Sequence, residues 1–165
     1  MSKDEKQTRK AAQKLIADNR RARFDYEVTD KYEGGLVLTG SEVKSMRAGK
    51  VDIVDAYASI DRGELWLKQL YVAPFEKAAT FPHEPRRARK VLLHRNEITA
   101  IDREIGRGGL TVVPMRLYFK DGHVKVELAV VRGKKKEDKR RDIAKKTADR
   151  EARAVIGRAA KGGRE

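Results

Sequence analysis

Three histidines, His83, His94 and His123, are the residues whose chemistry could serve catalysis or metal binding. They form no helical His-x-x-x-His pair, and no acidic cluster with the spacing of metal ligands lies near them. The chain has no cysteine, which excludes disulfides and thiolate metal sites, and no serine in a recognisable nucleophile elbow. The sequence therefore predicts a protein that is not an enzyme and needs neither metal nor cofactor.

One enzymatic alternative is a metal-dependent nuclease, because Glu42 and Lys44 follow the acidic residues Asp25 and Asp30. Two-metal phosphodiester cleavage needs convergent carboxylates that hold the cations. Glu42 and Lys44 lie two residues apart on a predicted helix, so they do not share a face. The charged first turn of a solvated helix explains the same residues better.

Two basic segments offer a different chemistry, the binding of nucleic acid. The first leads into the first predicted strand and contains Asn19, Arg20, Arg21 and Arg23. The second, residues 81–90, combines a phenylalanine, two prolines, an imidazole and four cations: Phe81, Pro82, His83, Pro85, Arg86, Arg87, Arg89 and Lys90. Arginine forks bind phosphates and rings stack on bases, as looped RNA requires. Each segment alone could be a solvated surface run, but together they favour RNA.

The distribution of charge separates a body from two arms. The 165 residues carry a formal net charge of +14, of which residues 1–23 contribute +5, residues 24–131 only +1, and residues 132–165 +8. An excess of this size points to a polyanion as partner. We expect a flexible N-terminus over 1–14, a barrel over 15–132 and a basic tail over 133–165.

The tail has few large apolar residues beyond Ile143, Val155 and Ile156. Its helix propensity is good, yet the apolar stripe is too thin to offset the entropy of ordering. We therefore expect it to be disordered when free and to fold on its target. The alternative is a tail that only keeps the protein in solution.

Alternating apolar residues predict strands over 23–33, 51–61, 64–72, 110–120 and 123–131, with a Gly34-Gly35 turn leading into a short strand over 36–38. Asp61-Arg62-Gly63 and Asp121-Gly122 predict hairpin turns, and Pro114 predicts an edge position or a bulge.

Two helices are predicted over 41–48, with Ser41 as N-cap, and over 96–105, where Ile98, Ile101 and Ile105 share a face. Six strand-like segments without β-α-β alternation predict a mainly β protein, a small antiparallel barrel with packed helices. No apolar run approaches the roughly 20 residues of a membrane helix, and no secretory signal is visible. We expect a cytoplasmic monomer.

Several motifs occur in order along the chain: Asn19-Arg20-Arg21-Ala22-Arg23-x-x-Tyr26, Tyr32-Glu33-x-Gly35, Leu38-Thr39-Gly40-x-Glu42-Val43-Lys44-Ser45-x-Arg47-Ala48-Gly49-Lys50, Arg89-Lys90-x-Leu92-Leu93-His94, Lys125-Val126-Glu127-Leu128 and Arg132-Gly133-Lys134-Lys135-x-x-Asp138-Lys139-Arg140. Together they resemble the small protein B family, the bacterial SsrA-binding proteins that partner transfer-messenger RNA. The resemblance covers roughly residues 15–156 and implies an oligonucleotide-binding-type barrel.

The resemblance implies a role in trans-translation, in which the barrel binds the tRNA-like domain of transfer-messenger RNA and delivers it to stalled ribosomes. The RNA-facing or supporting residues would be Asn19, Arg20, Arg21, Arg23, Glu33, Lys44, Arg47, His83, Arg87, Arg89, Lys90, Leu92 and His94. Among these, Glu33 would accept hydrogen bonds from a base or sugar or brace a neighbouring arginine, because a carboxylate repels phosphate.

The resemblance also implies that the tail occupies the empty mRNA channel and the decoding centre as a helix. The ribosome-binding residues would be Lys134, Lys135, Asp138, Lys139, Arg140, Val155 and Ile156. Glu137 stands where relatives often carry a stacking histidine or tyrosine, and Ala148 where some carry a tryptophan. A general RNA-binding or ribosome-associated barrel without a dedicated RNA is the alternative function.

Overall fold

The computed structural model describes residues 13–75, 83–133 and 136–162, and describes side chains in the last segment from 139 to 157. Most of the predicted flexible N-terminus, together with Phe81, Pro82, Lys134 and Lys135, lies outside the described residues. The strands are β1 Lys14–Asp18, β2 Tyr26–Leu36, β3 Val51–Asp52, β4 Tyr57–Asp61, β5 Glu64–Lys68, β6 Tyr71–Val72, β7 Arg89–Leu92, β8 Thr111–Lys120 and β9 His123–Gly133. The helices are α1 Arg20–Asp25, α2 Gly40–Arg47, α3 Arg95–Gly106 and α4 Lys136–Gly162.

Six strands close into a barrel. The sheet order is β1-β8-β4-β5-β7-β2-β9, and β8 also pairs with β9, so that β8, β4, β5, β7, β2 and β9 form a ring. All of these pairings are antiparallel. β1 adds to the outside of the ring along β8, and β3 pairs with β6 in a separate two-stranded sheet. The predicted mainly β barrel with packed helices is confirmed.

The barrel interior holds the core. Leu65, Leu67, Val126 and Leu128 alternate with outward residues on their strands and have no exposed surface, as the period of two along a strand requires. α3 adds the fully buried Ile101, with Ile98 and Ile105 packed against the same cluster. The predicted apolar face of this helix is therefore confirmed.

Both predicted hairpin turns are present. Arg62 and Gly63 have φ of 51° and 76°, and Asp121 and Gly122 have 52° and 76°. Two consecutive positive φ angles define the type I′ turn that matches the twist of the flanking strands. Pro114 lies at a bulge in the β8–β9 pairing, as predicted.

The predicted turn at Gly34-Gly35 is wrong, because β2 continues through both glycines to Leu36. The glycines serve close packing instead: a Cβ on Gly34 would lie 2.6 Å from Val91 Cγ1 and 3.2 Å from the Leu92 carbonyl oxygen. β7 can therefore pack tightly against β2 at this position because glycine has no side chain.

Other boundaries also differ from the predictions. The first basic segment folds as α1 rather than leading directly into a strand, and β1 and β7 are additional strands. Thr39, not Ser41, caps α2, since its hydroxyl accepts from the Glu42 backbone N–H while the Glu42 carboxylate accepts from the Thr39 N–H. The strand predicted over 64–72 breaks at Gln69, where φ is 60°.

Residues Lys136–Gly162 form a continuous helix, the conformation that the resemblance implies for the tail on its target. Alanine, lysine, arginine and glutamate are strong helix formers, and the i to i−4 hydrogen bonds of a helix are all local. Ile143, Val155 and Ile156 are exposed, so propensity rather than burial supports the segment. Among the described helices none is both long and apolar enough to span a membrane.

We predict that Gly34→Ala lowers the free energy of unfolding by about 2 kcal/mol, because the added methyl group overpacks the β2–β7 contact. Urea denaturation measures this. Gly35→Ala in the same strand is the control, since its added Cβ would meet other atoms only at 3.7 Å or more. Equal losses for the two variants would contradict the packing explanation.

Candidate RNA interface

The most constrained group in the barrel is the buried carboxylate of Glu42, which has no exposed surface. One oxygen accepts from the Thr39 N–H at 3.0 Å and from the Arg87 guanidinium at 2.5 Å, while the other accepts from Arg89 Nε. Burial alone would raise the pKa of Glu42, but the hydrogen bonds from Thr39 and both arginines outweigh it and lower that pKa to about 2. Glu42 is therefore ionised and tied to its partners.

The Glu42 centre fastens residues 83–89 to the barrel. Arg89 is fully buried and also donates to the carbonyl oxygens of Leu70, Arg87 and Pro85. His83 is nearly buried, and its ring nitrogens lie 2.9 Å from Ser41 Oγ and 3.0 Å from the Val72 carbonyl oxygen. His83 and Arg89 are therefore buried supporting residues, whose polar atoms bond to the protein itself. Arg87 is half-buried in the same ion pair.

The same network corrects the interpretation of Glu42 as part of a solvated helix turn, since its carboxylate lies in the interior. It also leaves the nuclease alternative without support, because both oxygens are occupied by arginines and a backbone N–H. In the described part of the chain, no group of three or more His, Cys, Asp or Glu residues could hold a metal ion.

Asn19 is a further buried residue that holds an exposed basic segment in place. It is buried, its Oδ1 accepts from the Ala22 N–H at 3.1 Å, and its Nδ2 donates to the Pro114 carbonyl oxygen at 3.1 Å. Asn19 thus caps α1 and attaches it to the bulge in β8. This leaves the arginines of α1 on the exposed side of the helix: Arg20, Arg21 and Arg23.

Strand pairing brings several predicted residues together on the outside of the barrel. Leu92 pairs with Gly35, Gly35 with Lys125, and Lys125 with Tyr118. Paired residues point to the same side of a sheet, as do residues two apart on one strand. One outer surface, the β7–β2–β9–β8 face, therefore carries Lys90, Leu92, Gly35, Glu33, Lys125, Glu127, Tyr118, Lys120 and Arg116. Glu127 lies opposite both Glu33 and Arg116 and pairs with Lys31 at 3.5 Å.

Leu92 is the exposed apolar residue of this face, with 55% of its surface accessible. A Cβ built on Gly35 would lie 3.7 Å from both Leu92 Cβ and Lys125 Nζ, so the lysine ammonium lies beside the apolar side chain. Lys90, two residues before Leu92, pairs with Glu64 at 3.1 Å at the margin. An apolar platform beside cations suits stacked bases and their phosphates.

Glu33 is a fixed acceptor on the same face. The Tyr118 hydroxyl donates to one of its oxygens, and Lys120 Nζ donates to the other at 3.0 Å. Partial burial would raise the pKa of Glu33, but the hydrogen bonds from Tyr118 and Lys120 outweigh it and lower that pKa. The partners are a tyrosine and a lysine, not the arginine considered from the sequence.

The remaining cations lie at two other places. On α2, Lys44 Nζ lies 5.4 Å from the centre of the Phe75 ring and the Arg47 guanidinium 5.8 Å from that of Phe119. On α1, Arg21 pairs with Asp25 at 3.4 Å and Arg23 with Asp18 at 2.7 Å. His94 is exposed at the start of α3 and makes no side-chain cap.

The tail residues fall in a separate unit that begins at Lys134. Lys139 and Arg140 lie in the first turns of α4, and Val155 and Ile156 are exposed near its end, at 64% and 70%. The side chains of Glu137 and Asp138 lie outside the described residues, whereas Ala148 is an exposed helix position.

Lys125 on β9 and three residues of β8, Tyr118, Lys120 and Arg116, belong to the outer face but were not among the predicted site residues. The signal was present, because strict alternation from the Asp121-Gly122 turn places these three on one side of β8. The sequence does not reveal the register between β8, β9 and β2, which brings these three residues to the same face as Glu33.

A closed six-stranded antiparallel barrel with a cationic and apolar outer face and a basic helical tail defines a nucleic-acid-binding barrel protein. Comparison with known proteins agrees. The family model described as SmpB protein matches residues 16–158, and the chain belongs to this family. It is 53% identical to the SsrA-binding protein of Saccharopolyspora erythraea, over 90% of this chain and 94% of that protein.

Other relatives show the same similarity. The SsrA-binding protein of Thermobifida fusca is 48% identical over 96% of this chain and 99% of its own length. Among solved structures, a chain from "tmRNA-SmpB: a journey to the center of the bacterial ribosome" is 47% identical with a TM-score of 0.63, covering 74% of this chain and 86% of that one.

We predict that Glu42→Gln lowers the free energy of unfolding by about 3 kcal/mol, because it leaves two arginines facing a neutral amide. Glu64→Gln, which breaks the exposed pair with Lys90, is the control and should cost less than about 1 kcal/mol. Urea denaturation at neutral pH compares them. Similar losses would contradict the central role of the buried carboxylate.

The depressed pKa of Glu42 also predicts a pH dependence. The stability that its ionisation contributes is complete above its ordinary pKa of about 4.5 and is lost as pH falls towards about 2. Thermal unfolding across this window should therefore show a smaller fall in Tm for Glu42→Gln than for the wild type. Parallel curves would show that Glu42 does not titrate there.

Proposed function

We propose that this protein binds the tRNA-like domain of transfer-messenger RNA through its barrel and carries it to stalled ribosomes in trans-translation. The observation that carries the proposal is the β7–β2–β9–β8 face, where strand register gathers Glu33, Lys90 and Leu92 from separate motifs of the chain. Membership of the SmpB family supports the choice of RNA. The role is one of binding and delivery in the cytoplasm, with no reaction at the barrel.

The proposed binding uses complementary chemistry on the face. Lys90 and Lys125 neutralise phosphates, and the exposed side of Leu92 covers an apolar edge of the RNA. Glu33, held ionised by Tyr118 and Lys120, accepts from a base amino group or a 2′-hydroxyl. A fixed carboxylate also repels a phosphate placed wrongly, so it adds selectivity for one orientation of the RNA.

The arginines of α1 extend this face. Arg23 and Arg116 flank the same Asp18 carboxylate, with Arg23 at 2.7 Å and Arg116 Nε at 4.0 Å. Lys44 and Arg47 on α2 lie over aromatic rings and have no carboxylate partner in the described part of the chain, so their charge is available to phosphates. The buried Asn19, His83 and Arg89 hold these elements in place.

The tail has a separate proposed partner, the mRNA channel and decoding centre of the small ribosomal subunit. A 27-residue helix is about 40 Å long, and its cations can follow an RNA-walled path. Four cations near the start of the tail, with Asp138 among them, would meet ribosomal RNA phosphates: Lys134, Lys135, Lys139 and Arg140. The exposed Val155 and Ile156 would anchor its far end in an apolar pocket.

A general RNA-binding barrel remains the second candidate, favoured by the net charge of +14 alone. Competition separates the two. Unlabelled tRNA and duplex RNA should displace the labelled tRNA-like domain only at concentrations well above that of the unlabelled domain itself. Equal displacement by all three would favour the general binder.

We predict that Arg20→Ala combined with Lys90→Ala weakens binding of the tRNA-like domain by about tenfold at physiological salt, because each lysine or arginine lost removes a phosphate contact. A gel-shift titration measures the Kd. Arg103→Ala combined with Arg107→Ala, which removes two exposed cations near the end of α3, is the control and should leave Kd within about twofold. A Kd within twofold for the first pair would remove Arg20 and Lys90 from the interface.

Removing residues 134–165 should leave binding of the tRNA-like domain nearly unchanged but abolish tagging on stalled ribosomes, because the barrel unit ends at Gly133. Gel-shift titration and a reconstituted tagging reaction read the two activities. Loss of both to the same extent would contradict the division between barrel and tail.

A further inference from the structure

A pocket of about 350 Å³ lies on the outside of the barrel between β1 and β8, lined by Gln13, Leu15, Arg116 and Tyr118. It exists because β1 pairs along β8 outside the closed ring, with Leu15 opposite Tyr118 and Asp18 opposite Arg116. The Tyr118 hydroxyl links the pocket to Glu33 on the β7–β2–β9–β8 face. The pocket is thus continuous with the proposed RNA interface.

The lining combines three kinds of group. Leu15 is 51% exposed, an unusual position for a leucine on a strand, and it lies opposite the nearly buried Tyr118 in the β1–β8 pairing. The Arg116 side chain is 45% exposed, and its Nε is 4.0 Å from Asp18, whose Oδ1 is already held by Arg23 at 2.7 Å. Gln13 supplies an amide that can both donate and accept.

We propose that this pocket holds one unpaired nucleotide of the bound RNA, a deduction that rests on the proposed function of the barrel. Proteins recognise single-stranded or looped RNA by packing a splayed-out base on an apolar or aromatic surface, holding its phosphate with a cation and bonding its polar edge. Leu15 and the rim of Tyr118 provide the packing surface, and Arg116 provides the cation for the phosphate. Gln13 and Glu33 provide the hydrogen bonds to the polar edge of the base.

Charge fixes the orientation of the nucleotide. A carboxylate has about four lone-pair sites, of which Tyr118 and Lys120 use two on Glu33, so further donors can still bind. Glu33 therefore meets a base amino group or a 2′-hydroxyl, and the phosphate turns away from it towards Arg116. The guanidinium can grip that phosphate with two parallel hydrogen bonds.

The test compares the double variant Leu15→Ala with Arg116→Gln against a matched double variant, Val54→Ala with Arg103→Gln. All four side chains are exposed, so both proteins should fold, and equal Tm values check this. The probes are a transcript of the tRNA-like domain and a random-sequence single-stranded RNA. Filter binding gives Kd and its salt dependence, and chemical acylation of 2′-hydroxyls at saturating protein gives the footprint.

We expect the Leu15 and Arg116 variant to weaken binding of the tRNA-like domain by about fivefold or more. Its salt slope should fall by about 0.7 to 0.9, the value for one phosphate contact. At saturating protein it should lose protection at one or two neighbouring nucleotides, while the matched variant keeps the wild-type Kd and footprint.

A wild-type Kd and footprint for the Leu15 and Arg116 variant would overturn the proposal that the pocket holds a nucleotide. A loss of affinity that the matched variant shares would overturn it as well. Failure of the proposed function looks different, because the wild type would then bind both probes equally. In that case the proposal for the pocket is still tested with the single-stranded probe. A Kd of the Leu15 and Arg116 variant above that of the wild type would support nucleotide binding in the pocket, and equal Kd values would contradict it.

Discussion

The structure depends on one buried interaction, the ionised Glu42 carboxylate enclosed by Arg87, Arg89 and the N-terminus of α2. Removing a carboxylate and a guanidinium from water costs several kcal/mol each, and only complete hydrogen bonding offsets that cost. Glu42 and Arg89 meet this condition through the Thr39 capping box and through three backbone carbonyls that accept from Arg89, whereas the buried Nε of Arg87 has no hydrogen-bond partner in the described part of the chain. As a result, the segment before β7 is attached to α2. This attachment fixes the position of β7, and with it the outward orientation of Lys90 and Leu92.

The residues of the proposed RNA face and those that hold it in place come from the same motifs. In one segment Arg89 points inward and is fully buried, while Lys90 points outward, because successive side chains of a strand alternate. In the first segment Asn19 is buried as a cap and Arg20 is exposed. A short basic motif therefore encodes both a contact and its support, and a substitution acts on affinity or on stability according to which neighbour it changes.

Much of the fold could be predicted from the sequence, because the hairpin turns at Asp121-Gly122 and Arg62-Gly63 and the apolar face of α3 are local signals. The tight contact at Gly34 could not, since a glycine pair reads as a turn unless the neighbouring strand is known. The buried state of Glu42, His83 and Arg89 was also hidden, because charged and imidazole side chains enter an interior only with partners that lie far away in sequence. The helix of the tail agrees with the good helix propensity of its sequence, because local hydrogen bonds need no buried apolar surface.

The barrel and the tail divide the net positive charge between two tasks. Residues 24–131 carry a net charge of only +1, so on the proposed function the few outward cations and the fixed carboxylate of the barrel select an RNA by position, whereas the tail carries dense charge along one helix. The most direct test is ultraviolet cross-linking of the full-length protein in cells, followed by sequencing of the attached RNA and mapping of the cross-linked peptides. One dominant small stable RNA, transfer-messenger RNA, attached to peptides of β7, β2, β9 or β8, is the predicted result. Reads spread over many tRNAs and messengers, or cross-links confined to other surfaces of the barrel, would contradict it.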